Sequence, residues 1–166
     1  MKSENIPIAK ILHSSKPHSL NNGPDKLIDG NNQTYWDGPP AEQNFNNWSV
    51  TFELVKSYAV LSVNLVNWGD DDTHDVTSFK LQASDDQVIW YDGGSAKDVE
   101  HGSSEWQRFD GFTSIGKYMK FTVTQTHSGW QPWIREISFT GHSGKYTDIE
   151  DQILGQSFRS YKVKLY

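Results

Sequence analysis

Between Lys26 and Trp36 the chain reads "KLIDGNNQTYW". Asp29 offers a carboxylate, Thr34 a hydroxyl, and each residue of the run a carbonyl. A hard cation such as calcium takes six to eight such oxygens at about 2.3–2.6 Å. Gly30 permits the sharp turn that aims successive carbonyls to one side. The same residues also fit a plain Asx-turn closed by Asp29 with no ion. The local sequence leaves both readings open. A second oxygen-rich run, "GDDDTHD" from Gly69, lacks the alternating ligands and closing Glu of an EF-hand loop, and it reads as a solvated turn. Zinc is not expected, because the chain has no Cys and its six His are scattered. Catalytic signatures are also missing: there is no phosphate-binding Gly loop, nucleophile elbow, HExxH or cysteine nucleophile. Asp70, Asp71, Asp72, Asp75, Asp85 and Asp86 are paired as glycosidase carboxylates can be, but they fall in turns that solvation explains. The sequence predicts a protein that binds and does not catalyse.

The elements that must position these residues alternate with period two. "SVTFEL" puts Val50, Phe52 and Leu54 on one face, and "AVLSVNLVNW" does the same for Leu61, Val63 and Leu65. "SFKLQAS" faces Phe79, Leu81 and Ala83 inward, "YMKFTVT" faces Met119, Phe121 and Val123, and "REISFTG" faces Ile137 and Phe139. "AKILHSS" is a further short strand. Turn clusters such as "NNGP", "DGNN", "DGPP", "SDDQ" and "YDGGS" separate these runs. Short alternating strands with such punctuation predict an antiparallel sandwich or barrel.

The 166 residues suit one domain that buries its own core. Seven Trp, seven Tyr and eight Phe supply large core side chains and leave a few to stack on a ligand. A formal charge of -6 disfavours nucleic acid and anionic membranes as partners. No apolar run approaches the ~20 residues of a membrane helix. "MKSENIPIAKILHSS" lacks the apolar stretch of a signal peptide, so either export by that route is not expected or the chain begins after a signal. The absence of Cys leaves the redox compartment open. The body is expected to span residues 1–141 and a C-terminal extension residues 142–166. In that extension "YTDIEDQILGQSF" has a weak helical pattern and "SFRSYKVKLY" alternates like a strand, which suits packing on the body or oligomerisation.

Taken in order, "IDGNNQTYW", "NWSVTFEL", "FKLQASDDQVIWYD", "IGKYMKFTVT" and "WIREISFTG" resemble the discoidin family, the coagulation factor five/eight type C domains. The likeness runs from about Ile8 to Gly141 and is strongest to family 32 carbohydrate-binding modules and fucose-binding lectins. It implies an all-β, galactose-binding-domain-like jelly-roll sandwich of eight strands, with binding loops at one end. It also implies a structural calcium held by Lys26, Asp29, Asn31, Thr34, Arg135 and Glu136, with Lys26, Asn31 and Arg135 acting through carbonyls. The animal branch often joins its termini by a disulfide; this chain departs from that branch and sits nearer the bacterial-type modules.

Sugar recognition needs an aromatic face for the apolar side of the ring and fixed polar groups for its hydroxyls. Where the fucose lectins place basic residues, "NWGDDDTHDVTSF" has Trp68 and His74, so the match is inexact. Trp68 is a candidate platform, with Asp70 and His74 as hydroxyl partners, although an exposed loop histidine is an equal reading of His74. Trp130, after Ser-Gly in "THSGWQPWIRE", is the contact expected at a loop tip, while Trp133 reads as structural. Asp37, Asn44 and Asn46 are lesser candidates, and Trp36 and Trp48 read as core or rim. The resemblance thus implies a non-catalytic lectin-like module for galactose-, fucose- or N-acetylhexosamine-type glycans. It would lie outside the cell or on a surface, as a free oligomer or part of a larger assembly; cytoplasmic or virion-associated settings also fit. A protein-interaction or adhesion module without a sugar site is the alternative. Phospholipid binding ranks third, since the surroundings of Trp130 are acidic.

Overall fold

The computed structural model describes residues 2–15, 17–40 and 48–143. Among them are eight strands: β1 (Glu4–Asn5), β2 (Ile8–Ser14), β3 (Trp36–Asp37), β4 (Ser49–Asn67), β5 (Val76–Ser84), β6 (Tyr91–Ala96), β7 (Trp106–Thr126) and β8 (Trp133–Ser143). Every pairing between them is antiparallel.

Two long strands build both layers. In its first half β4 pairs with β2 up to Leu54 and with the second half of β7 up to Glu53. From Tyr58 onward it pairs with the first half of β7 and with β8, after a break in register between Glu53 and Tyr58. Strands that turn a corner and change partners are how a sandwich joins its sheets. One layer holds β2, the first half of β4, the second half of β7, β5 and β6. The other holds β1, β3, β8 and the remaining halves of β4 and β7. The result is the jelly-roll sandwich.

The inward residues are those that alternation marks. Val50, Phe52, Leu54, Phe79, Leu81, Ala83, Met119, Phe121 and Val123 are buried, and so are Val63, Leu65, Ile137 and Phe139 opposite them. The edge of Phe52 meets Phe139 at 5.3 Å, which couples the layers. Phe79 packs on Phe121 at 4.9 Å and on Phe109 at 5.4 Å. Trp36 and Trp48 are fully buried, and the Trp48 indole donates to the Pro39 carbonyl at 2.9 Å. One strand departs from simple alternation. Register slips between Val60 and Ser62, so Ser62 is buried while Leu61 is only half-buried. A bulge shifts the faces by one residue, which period-two reading does not foresee.

β8 runs to Ser143, two residues past the boundary expected at Gly141. The helix and strand expected in the extension lie outside the described residues. No helix of the described residues is long and apolar enough to cross a membrane.

Candidate functional site

The opening stretch folds as a 3-10 turn over Pro24–Ile28, with Asp29 as its C-cap. Gly30 follows at φ +71°, and a Cβ there would touch nothing, so conformation and not space selects glycine. The Asn31 amide then donates to Asp29 Oδ1 and to Glu136 Oε1, each at 2.9 Å. Thr34 Oγ1 lies 2.6 Å from Asp29 Oδ2 and 2.9 Å from the Asn31 carbonyl. Glu136, buried on β8, thus meets a turn more than a hundred residues earlier. Lys26 belongs to the same turn as Asp29 and Arg135 to the same strand as Glu136, so their carbonyls sit on the two segments that meet.

Two carboxylates facing one amide are electrostatically strained. Burial, with Asp29 close by, pushes Glu136 up to about 7. Burial works on Asp29 too, but the Thr34 hydroxyl and the Asn31 amide outweigh it and hold Asp29 below the ordinary carboxylate range. Every side-chain donor here is a hard oxygen, which is the chemistry of a calcium ligand set.

A second group gathers at the same end. β3 pairs with the start of β8, which sets Asp37 opposite Trp133, and the Trp133 indole donates to Asp37 Oδ1 at 2.9 Å. His74 stacks flat on Trp133, ring centroids 3.7 Å apart and planes 7° apart. Its Nδ1 lies 2.7 Å from the Gln131 carbonyl, which can only accept, so Nδ1 carries a hydrogen. Trp130 meets the His74 ring edge-on at 5.6 Å and is 59% exposed. Trp68 and Trp133 meet edge to face at 5.6 Å, and Tyr35 packs on both.

Arg135 links the cluster to the carboxylate pair. On β4 the step from Val66 to Asn67 spans Glu136 to Ile134 on β8, so a bulge sits at Arg135. Its guanidinium covers the Trp68 ring at 4.3 Å and donates to the Trp68 carbonyl, the Asn32 carbonyl and Asp70 Oδ2 at 2.9, 2.6 and 3.1 Å. One buried arginine therefore ties the turn after Gly30 to the loop after β4.

Several expectations change here. His74 is not an exposed loop histidine: it is buried between Trp133 and Trp130. Asp37 is buried and accepts from Trp133, so it positions the aromatic group. Trp68 is half-buried beneath Arg135, which limits it as an open platform. Asp70 is exposed but paired with Arg135. "GDDDTHD" is not wholly solvated, because Asp75 is fully buried and accepts from the Gly69 and Gly102 amides at 2.9 and 2.7 Å. The histidines are not all scattered either: His101 and His127 stack at 3.7 Å. Asn44 and Asn46 lie outside the described residues. Tyr35 and Gln131 were not singled out, although Tyr35 was legible from its place beside the inward Trp36. A hollow of about 410 Å³ across β2, β4 and β7, where Lys120 covers Trp90 at 4.1 Å, includes none of the candidate residues.

Asp37 supports a test. Burial raises its pKa despite the Trp133 bond. With the folded value above the unfolded one, its contribution is largest below the unfolded pKa and is lost as pH rises through the folded one. Asp37→Asn keeps an oxygen for Trp133 and should be at least as stable as wild type at neutral pH. Asp37→Ala strands the indole N–H and should cost about 1–3 kcal/mol. Urea unfolding of both variants at pH 4 and pH 7 measures the difference.

An antiparallel jelly roll with an aromatic cluster on its end loops has the galactose-binding-domain-like architecture. A family model, the F5/8 type C domain, matches residues 11–137. The chain belongs to that family. No curated protein matches it. Among solved structures, the CBM32-1 and CBM32-2 domains of Clostridium perfringens ZmpB superpose with a TM-score of 0.69 at 20% identity, over 82% of this chain and 36% of that one. The family 32 module of C. perfringens NanJ, in complex with galactose, gives 0.64 at 16% identity, over 84% and 99%. A truncated AlyQ with CBM32 and alginate lyase domains gives 0.65 at 18% identity, over 87% and 34%. The chain therefore spans about a third of the length of ZmpB and AlyQ in those structures.

Proposed function

We propose that this chain is a non-catalytic carbohydrate-binding module. Its ligand face is the end that carries Trp130, His74 and the Tyr35–Trp68–Trp133 group. The observation that carries this reading is Trp130: a large apolar ring more than half exposed at a loop tip, edge-on to the buried His74. An open aromatic face set among polar loop groups suits a pyranose. Galactose-, fucose- or N-acetylhexosamine-type sugars are the class we favour, a choice supported by the galactose complex of the NanJ module.

We further propose a structural calcium held by Asp29, Thr34, Glu136 and the carbonyls of Lys26, Asn31 and Arg135. The ion would supply charge neutralisation and a cross-link between the first turn and the last strand. Through Arg135 the same strand reaches Trp68 and Asp70, so the ion would brace the loops of the ligand face. The family resemblance favours a setting outside the cell, as an accessory to a longer protein or in an assembly. Monovalent affinity should be weak, with Kd about 1 mM to 10 μM, and clustering would raise it.

A glycan array in calcium, with free sugars as competitors, tests the reading. Signal that galactose-type sugars compete away is the expected result. An array that stays blank at high glycan density overturns it and leaves protein adhesion as the function.

A further inference from the structure

We infer that Asp72, His101 and His127 form a second metal site, for a divalent transition ion such as zinc. One ligand atom from each of the three residues lies within 4.8 Å of the other two. Asp72 Oδ2 is 3.0 Å from His101 Nδ1 and 3.5 Å from His127 Nε2. Tetrahedral zinc with bonds of about 2.0–2.1 Å sets its ligand atoms roughly 3.3 Å apart, so the two separations bracket that value. Two imidazoles and a carboxylate suit zinc, copper or nickel, and do not suit calcium, which seeks more oxygens.

The three residues come from three loops, and the fold fixes those loops without the ion. Buried Asp75 accepts from the Gly102 amide, which places the loop of His101. The His127 amide donates to the Asp75 carbonyl at 2.9 Å. Ser128 binds the Thr73 carbonyl through both its amide and its hydroxyl. Asp72 sits in a short 3-10 turn, where Asp71 accepts from the Thr73 amide. The ligand side chains are 39–44% exposed, so an ion can enter and the fourth position stays open to water or an outside donor. A hydrogen-bonded Asp–His pair explains the shorter contact alone. The second histidine brings its nitrogen within 3.5 Å of the same oxygen. The two rings stack at 3.7 Å without the ion and must swing to about 5 Å between centroids to share a tetrahedral one, a rotation that their exposure allows.

The test uses the full chain saturated with calcium, so that the carboxylate pair near Gly30 is occupied. Zinc chloride at about a hundredfold its Kd should raise the Tm by about 5–10 °C. Cobalt(II) should show the intense visible bands of tetrahedral nitrogen–oxygen coordination. His101→Ala and His127→Ala should each abolish both signals and leave the metal-free Tm within about 2 °C, as half-exposed side chains allow. No zinc-dependent shift in wild type, or a shift that survives both substitutions, overturns the site. Cobalt spectra that stay octahedral in wild type overturn it as well.

Discussion

Trp130→Ala should remove glycan binding and leave the fold intact. The Trp130 side chain contributes little to the body: it is 59% exposed and meets His74 only edge-on. Its loop is shaped by the backbone, through Gly129 at φ +82° and the Thr126 hydroxyl donating to the Trp130 carbonyl at 2.6 Å. An alanine keeps both. Loss of a stacking surface should cost about 2 kcal/mol, roughly 30-fold in Kd, which takes an already weak module below detection. Stability should change by less than about 0.5 kcal/mol, as for surface positions away from packing. Trp133→Ala is the contrast. That ring supports His74, Tyr35 and Trp68, so its removal should cost about 3 kcal/mol in stability as well as binding. Isothermal titration with the best array sugar, run beside urea unfolding, separates the two effects. Full binding by Trp130→Ala would move the ligand face away from this end.

The contrast between these tryptophans shows what a sequence can carry. Residues such as Phe79, Leu81 and Ala83 are placed by a pattern that repeats every second residue, and a regular strand preserves it. The exposed position of Trp130 was legible because an apolar ring after Ser-Gly is unusual at a loop tip. Arg135 as a bridge was not legible. Its role depends on a bulge, and a bulge leaves no mark in alternation. Asp37 and His74 were chosen for their chemistry, but the depth of Asp37 is set by a pairing between β3 and β8 about a hundred residues apart, and His74 packs on Trp133, nearly sixty residues away. The His101–His127 pair was missed for a similar reason. Three loops converge because one buried aspartate, Asp75, accepts from two amides and offers its carbonyl to a third. No local spacing encodes such a junction. The link from Asp29 to Glu136 spans a comparable distance, yet the resemblance placed both residues on one site, because the order of motifs supplied the topology that local chemistry lacks.

That long-range link has a measurable consequence for stability. Without a cation, the domain should weaken as pH rises from about 4.5 toward 8, and calcium should reverse the loss. Burial, reinforced by Asp29 nearby, puts Glu136 at about 7 in the folded chain against 4.5 unfolded. A raised carboxyl pKa means that the folded state holds the proton more tightly. The associated stability is complete below the unfolded value and is lost as pH climbs through about 7. A gap of that size corresponds to about 3 kcal/mol, or roughly 6–12 °C in Tm for a domain this long. Calcium would replace the proton as the charge that separates the two carboxylates, so its stabilising effect should grow over the same interval. Glu136→Gln turns this into a crossing. The amide oxygen can still accept from the Asn31 N–H, but the negative charge is gone. In chelator at pH 8 the variant should be more stable than wild type, by about 2–3 kcal/mol. In excess calcium the order should invert, because the variant has lost a charged ligand. Scanning calorimetry of both proteins, with chelator and with calcium at pH 5 and pH 8, supplies all the comparisons. If wild type melts at one temperature in all four conditions, Asp29 and Glu136 hold no cation and the turn at Gly30 is an Asx-turn closed by hydrogen bonds alone.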